Sequence, residues 1–482
     1  MRRAGKSNFI KKVCVSFLAF MIVLSCLTES SKTAIAYTGM ESTVTQEMCS
    51  AYYWVSLEQD KAGEVLMTPA QIDKYNSLAL AEKDCNMNDL TSMDGSYDAT
   101  KLRDSLANEV LASAPAKATF VNGVQVDQSV YYGLMANDVF TTAWTGNRAP
   151  LYALAVEQTQ IFSVPTVDYI GYSAMDSDNE VVISSLRVGE PFVVKQAAAV
   201  GGRLYYFGYS SNVQGWVAAD DMAVCGSKAE WLDYWQVDTT GHDFVVVTTD
   251  YFTLPESYYT PASSELKLTM GTVLKLVPES EIPESIGVRG MWNNIAVYIP
   301  TRDENGKCVR QIALIGQNKS VSIGYVPMTS ANILFLSFEY LGDTYGWGGM
   351  LDSVDCSALI RNVYKCFGLE MPRNTNWQKC VPGTAVDISE LDEASKAAVI
   401  STITPGTPLY MSGHTMIYLG TVDGRNYVIS AMGSASDSAG ELEVKSQNSV
   451  TVTPLTVRRR NGTTWLKNIN TCVFPWCVGD EK

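Results

Sequence analysis

The chain has 482 residues, 46% of them hydrophobic and 18% charged, which gives room for about three folded units and excludes a largely disordered protein. Its 36 Lys and Arg face 51 Asp and Glu, for a formal net charge of −15, and this acidic balance argues against nucleic acid as a partner. With 2 His in all, no His-Glu-x-x-His, no Cys-x-x-Cys and no glycine loop leading a Lys into a helix, the sequence calls for no metal and no cofactor.

In chain order, Arg2, Arg3, Lys6, Lys11 and Lys12 precede an apolar run from Val13 to Leu24 and then Ala34-Ile35-Ala36. This is the pattern of an export signal over residues 1–36, cleaved after Ala36, with lipidation at Cys26 as the competing processing route. The run is too short for a membrane-spanning helix and no later segment is long and apolar enough, so a secreted or wall-associated protein with no membrane span is expected. Residues 1–36 hold six of the basic residues and one of the acidic ones, so processing leaves a net charge of about −20. Nine cysteines remain, at 49, 85, 225, 308, 356, 366, 380, 472 and 477. Excluding Cys356 leaves eight, an even number compatible with disulfides such as Cys472 to Cys477, or with reduced, buried thiols in an anaerobic host; spacing does not decide the pairing.

Residues 37–150 read as a mixed, partly helical region, with a helix from Thr68 to Leu80 begun by Pro69. Short alternating runs at Glu180 to Leu186, Pro191 to Lys195, Leu204 to Gly208 and Gly215 to Val217 predict a small all-β barrel over 151–228. Runs at Phe244 to Thr249, Gly271 to Val277, Ile295 to Pro300 and Ser322 to Val326 predict a second over 240–330. From 331 to 482 the texture becomes helix, glycine-rich turn, helix and strands, an α+β arrangement. Ile333, Leu334, Phe338 and Leu341 have helical spacing. Asp355 is placed to cap a helix running to Phe367, and strands follow at Thr407 to Met411, His414 to Leu419, Tyr427 to Met432 and Val450 to Val457. Arg458-Arg459-Arg460 reads as a solvated strand end.

The chemistry concentrates where Tyr345-Gly346-Trp347-Gly348-Gly349 leads into Asp355-Cys356-Ser357. A cysteine in the first turn of a helix meets unpaired amides and the positive end of the macrodipole, which favour thiolate and could hold an oxyanion. The base must be His242, in what reads as a surface linker, or His414, at the start of a strand behind Ser412-Gly413. A strand-borne His beyond a helix-capped Cys is a papain-like layout.

These residues, with Pro372-Arg373-Asn374, Gln378 and Gly413-His414 through Tyr418-Leu419-Gly420, resemble the NlpC-type cell-wall cysteine peptidases over about 150 residues. The preceding barrel pair resembles the SH3-like modules of members that cleave γ-D-glutamyl-L-diamino acid bonds of peptidoglycan stems. The resemblance implies a peptidoglycan stem peptide with a free N-terminal L-alanine as partner, Cys356 as nucleophile and His414 as base. It also implies Tyr345 lining the cleft, and Asp355 with Ser357 holding the alanine amine. The oligomeric state is not implied.

Two positions depart from the pattern. Ala358 stands where glycine is usual, and Ser430 stands where a His usually orients the base. A two-residue turn at Asp423-Gly424 would put Ser430 on the opposite face from His414; one extra residue in the hairpin would bring the two onto one face. Ser430 can accept the imidazole N–H but carries no charge to stabilise imidazolium, so reduced activity is expected. The competing readings are a wall-peptide-binding protein with weakened catalysis, and an amidase or acyl transferase acting on another wall amide. Trp347, Trp377 and Trp216 are candidates to line a substrate groove, with core packing the commoner role for each taken alone.

Overall fold

The computed structural model describes residues 41–437 and 443–478. The expected signal over 1–36, with Cys26 and the cleavage point at Ala36, lies outside the described residues. No helix among the described residues is long and apolar enough to cross a membrane.

The partly helical region divides between two cores. Helix α1 (Ala51–Glu58) and helix α2 (Pro69–Ala81) pack on the C-terminal region: Trp54 is fully buried against Tyr427, and the Tyr75 hydroxyl lies 3.0 Å from Met371 Sδ. Thr68 and Gln71 close a capping box at the start of α2, with Pro69 in the first turn where its missing N–H costs nothing. Helices α3 (Ala99–Ala112) and α4 (Gln128–Thr142) instead bury Leu106, Val110, Tyr132 and Val139 against the following β region.

That region is one seven-stranded antiparallel sheet: β1 (Leu151–Ala155), β2 (Thr159–Phe162), β3 (Val182–Leu186), β4 (Pro191–Val200), β5 (Arg203–Tyr209), β6 (Gln214–Ala218) and β7 (Met222–Val224). Its spatial order is β7-β1-β4-β5-β6-β2-β3, and every strand expected from the sequence falls inside it. Trp216 is core, not groove. After helix α5 (Lys228–Trp235), the second β region is assembled from smaller sheets. In one, β8 (Phe244–Val247) pairs with β9 (Val273–Lys275) and with β12 (Val321–Ile323); β10 (Asn294–Arg302) and β11 (Cys308–Gly316) form a long hairpin.

The C-terminal region begins with α6 (Ser330–Phe338) and α7 (Cys356–Lys365). A six-stranded antiparallel sheet follows, formed by β13 (Thr384–Asp387), β14 (Pro408–Met411), β15 (His414–Val422), β16 (Arg425–Ala435), β17 (Lys445–Pro454) and β18 (Ile469–Phe474) in the order β13-β18-β14-β15-β16-β17. Leu359, Ile360 and Val363 of α7 meet Ile417, Leu419, Ile429 and Ala431 on one face of the sheet. Helix α8 (Glu393–Ile400) contributes Ile400 to the core on the other face, with Met416, Val428 and Trp465.

The β15–β16 hairpin resolves the register question. Val422 pairs with Arg425 across a tight Asp423-Gly424 turn, both residues having positive φ (48° and 74°). The extra residue enters further down: the pairs Gly420 with Tyr427 and Tyr418 with Val428 leave Leu419 without a partner, a β-bulge. Gly420 there has φ 152°, and an added Cβ would lie 3.2 Å from the Trp54 ring. Gly420→Ala therefore strains the bulge and pushes on Trp54. The expected cost is about 1–3 kcal/mol, read as a lower urea midpoint; an unchanged midpoint would show the bulge tolerates a Cβ.

Candidate active site

Cys356 opens α7 and is 7% exposed. The preceding Asp355 caps the helix: its Oδ1 accepts from Ala358 N at 2.9 Å and from Ser357 Oγ at 2.8 Å, while Oδ2 accepts from Gly348 N at 3.1 Å. Arg373 completes the arrangement, with Nη2 donating to Asp355 Oδ2 at 2.7 Å and Nη1 to Ser357 Oγ at 3.0 Å. Burial alone would raise the Asp355 pKa, but Arg373 and the N–H donors of Ala358 and Gly348 outweigh it and hold the carboxyl below the usual carboxylate range. Asp355 and Ser357, expected to hold a substrate amine, are instead 0% and 3% exposed and occupied by internal partners. What the two residues do here is fix the cysteine-bearing helix to the glycine-rich turn.

That turn is fixed to the first β region. Trp347 donates its indole N–H to Val182 O at 2.7 Å, and the Arg373 guanidinium stacks over the same indole. Arg373 Nε donates to Ile183 O at 2.9 Å. Gly348 and Gly349 lie so close to β3 that a Cβ would meet Val182 and Ser185 at 2.5 and 2.4 Å, and both have positive φ, so the glycines are required by approach as well as by conformation. Trp377 packs against the core of the same β region.

The Cys356 thiol lies against the backbone N–H of Thr415 and the hydroxyl of Thr375, two partners that spacing did not single out. Thr415 is the neighbour of His414, so the sulfur meets β15 where the histidine begins it. The His414 ring packs edge-on against Trp465, with centroids 4.8 Å apart, and its Nε2 lies 3.3 Å from Ser430 Oγ. The bulge at Leu419 thus places His414 and Ser430 on one face of the sheet. With Nε2 facing the hydroxyl, Nδ1 is the nitrogen left to take a proton. Tyr345 stands near enough to Cys356 and Asp355 that, after burial, their negative charges raise its phenol pKa further. His242 is exposed in the segment before β8, with its ring beside Gly324.

Contrary to the expectation from the helix N-terminus, the sulfur is a thiol at rest. Burial, then the Asp355 charge, push the Cys356 pKa up to about 11 against the pull of Thr415 N–H, Thr375 and Arg373. Loss of water around the His414 ring, then the positive charge of Arg459, push its pKa down to about 3, although part of the residue stays open to solvent. Arg459 is therefore more than a solvated strand end: it also donates to Ser412 O at 3.2 Å, at the turn before His414. The Cys472–Cys477 link that the sequence permits is not formed: Cys472 is buried in the sheet core and Cys477 is exposed, both as free thiols.

A cleft of about 850 Å³ opens at the far side of the glycine-rich turn, lined by Glu157, Gln158, Arg203, Asp221, Lys267 and Asp352, with Gly349 and Leu351 on its wall. It joins both β regions to the glycine-rich turn without including Cys356 or His414. Among the described residues no group of His, Cys, Asp or Glu is arranged to hold a metal.

Removing Arg373 while leaving Asp355 buried is expected to cost about 3–5 kcal/mol at pH 7. The sign with pH follows from linkage. In the wild type the lowered Asp355 pKa contributes stability above the ordinary carboxylate value, lost as pH falls through the folded one. In Arg373→Ala burial dominates and raises that pKa, so protonation relieves the variant. Urea unfolding from pH 7 to 3 should show the deficit shrinking; a constant deficit would mean the pair is not what holds the helix cap.

Residues 342–460 match the NlpC/P60 family model. No curated protein matches the sequence. The solved structure of a novel NlpC/P60 endopeptidase from Photobacterium damselae subsp. piscicida is similar, with a TM-score of 0.67 at 15% identity over 92% of this chain and 99% of that one, a likeness of fold. A NlpC/P60 family protein from Bacillus cereus ATCC 10987 gives a TM-score of 0.43 at 16% identity, over 68% of this chain and 100% of that one. Residues 342–460, which contain Cys356, His414 and Ser430, therefore match the NlpC/P60 family over that segment, and the likeness of the whole chain to the Photobacterium endopeptidase is one of fold.

Proposed function

We propose that the chain is an exported peptidoglycan hydrolase that cleaves the γ-D-glutamyl-L-diamino acid bond of stem peptides or muropeptides. Cys356 is the nucleophile, His414 the base and Ser430 the residue that orients it. The observations that carry this reading are two contacts on adjacent residues of β15: the Cys356 sulfur on the N–H of Thr415, and His414 Nε2 on Ser430 Oγ. Ser430 accepts the Nε2 proton, which leaves Nδ1 bare to take the thiol proton as sulfur attacks the glutamyl carbonyl. The carbonyl oxygen gains its charge at the start of α7, where the Cys356 N–H is free to donate. Protonated His414 then passes its proton to the departing amine, and water releases the acyl group by the reverse route. Asp355 and Ser357 are positioning residues in this scheme. Recognition of the L-alanine amine falls to groups around Tyr345 and the cleft, where the carboxyl groups of Glu157 and Asp221 stand together and burial, then Asp221, raise the Glu157 pKa.

A second reading, a wall-peptide-binding protein with weakened catalysis, draws on the neutral resting pair and on the missing charge at residue 430. Mass spectrometry of L-Ala-γ-D-Glu-diaminopimelate substrates after incubation with wild type and Cys356→Ala separates the two. Release of L-Ala-D-Glu by the wild type alone is expected. Intact substrate with both proteins, alongside measurable binding, would transfer the assignment to the receptor.

A pH profile follows from the site. The base must be neutral to act, and its pKa lies far below the ordinary 6.5, so kcat/KM should hold flat from pH 8 to pH 5. Iodoacetamide should modify Cys356 slowly at pH 7 and faster toward pH 11, where the thiolate forms. An acid limb near pH 6.5 together with rapid alkylation at pH 7 would instead describe a resting thiolate–imidazolium pair.

A further inference from the structure

Two cysteines outside the catalytic cluster stand side by side at the seam between the β regions. Val224, the last residue of β7, forms a parallel bridge with Lys307, and Val224 N donates to Gly306 O at 2.9 Å. The next residue on each segment is a cysteine, Cys225 on one and Cys308 on the other. Neighbouring strands run about 4.8 Å apart, inside the Cα separation of about 4.4–6.8 Å that a disulfide spans. The two thiols lie close enough to shift each other's pKa, and both belong to one apolar cluster with Leu154, Val193 and Trp231. Both are free thiols in this structure.

We infer that Cys225 and Cys308 form a cross-link site, closed by thiol–disulfide exchange with a small-molecule disulfide, that locks the seven-stranded sheet to the β10–β11 hairpin. The two cysteines are not equivalent. Cys225 is 6% exposed, whereas Cys308 is only partly buried and is where an oxidant arrives. Proximity to Cys225 and to Tyr234 pulls the Cys308 pKa down against burial, while the same contact, followed by burial, raises the pKa of Cys225. Cys308 sulfur attacks the reagent disulfide, forming a mixed disulfide and releasing one reagent thiol. Cys225 sulfur, on losing its proton, then attacks Cys308 sulfur and releases the second reagent thiol. Two protein thiols and one reagent disulfide become one protein disulfide and two reagent thiols. The bond joins segments already bridged at Val224 and Lys307, and it closes a long loop.

The test treats the reduced full chain with oxidised glutathione, then alkylates the remaining thiols and maps them by mass spectrometry, with thermal unfolding before and after. Expected are a cross-linked peptide pair carrying Cys225 and Cys308, with both lost to alkylation, and a higher unfolding midpoint for the oxidised protein. Cys225→Ser should stop at a lasting glutathione adduct on Cys308, and Cys308→Ser should show neither adduct at the seam nor a rise in midpoint. A lasting adduct on Cys308 in the wild type, a cross-link that joins other cysteines such as Cys85 and Cys380 while these two stay alkylated, or a cross-link with no gain in midpoint would each overturn the proposal.

Discussion

The buried ion pair between Arg373 and Asp355 is the constraint on which the site depends. A carboxylate with no solvent exposure is expensive to hold charged, and it persists here because Arg373 and the N–H groups of Gly348 and Ala358 fill its lone pairs. Each of those donors sits on a different segment: the loop after α7, the glycine-rich turn and the first turn of α7. One carboxylate thus brings together three pieces of chain that must agree before Cys356 has a fixed position. The same guanidinium reaches Ile183 O on β3 and lies over Trp347, so the first β region is tied to the site by hydrogen bonds rather than by contact alone.

That dependence changes what the β region is. Were it a separate targeting module, the catalytic region would meet it through an exposed, adaptable surface. Instead the turn carrying Trp347 to Asp352 holds glycines at the two places where β3 approaches too closely for a side chain, and Leu351 and Asp352 both keep left-handed backbone against the usual preference of non-glycine residues. The second β region is bound in as well: Arg187, just past β3, donates to Met270 O at 2.7 Å and pairs with Glu190, and the same guanidinium reaches Asn362 on α7. Backbone strain and buried charge of this kind survive only where the surroundings over-determine them.

Much of the site was legible in the sequence, and the parts that were not share a cause. Asp355-Cys356-Ser357 marked a capped helix because the cap acts within four residues, and local chemistry can be read locally. The strands were legible because alternation is also local, although the second β region resolved into smaller sheets than a single barrel pattern implied. Ser430 was ambiguous because its face turned on one bulge. Its position at Leu419 is set beside Gly420 by Trp54, more than 350 residues away, and not by the Asp-Gly turn. Arg373 could be noted only as part of a pattern, since its partner lies 18 residues back and its third contact on another region of the chain.

The ionisation state is hidden from local sequence for the same reason. A helix N-terminus is worth about 0.3–1 kcal/mol to an exposed anion, but that figure is local and burial is not. At Cys356 the surroundings remove water from the sulfur and set a charged Asp355 next to it, and these two effects exceed the amides and Arg373 that pull the other way. At His414 the lost water and Arg459 act together on the imidazole. The pair is therefore neutral, and a neutral base needs its tautomer fixed rather than its cation stabilised. A serine hydroxyl can do the first and not the second, so Ser430 in place of a second histidine suits a site whose charge separation occurs only during proton transfer. The electrostatics around the two groups and the identity of residue 430 thus support one mechanism, in which the thiol is activated as it attacks.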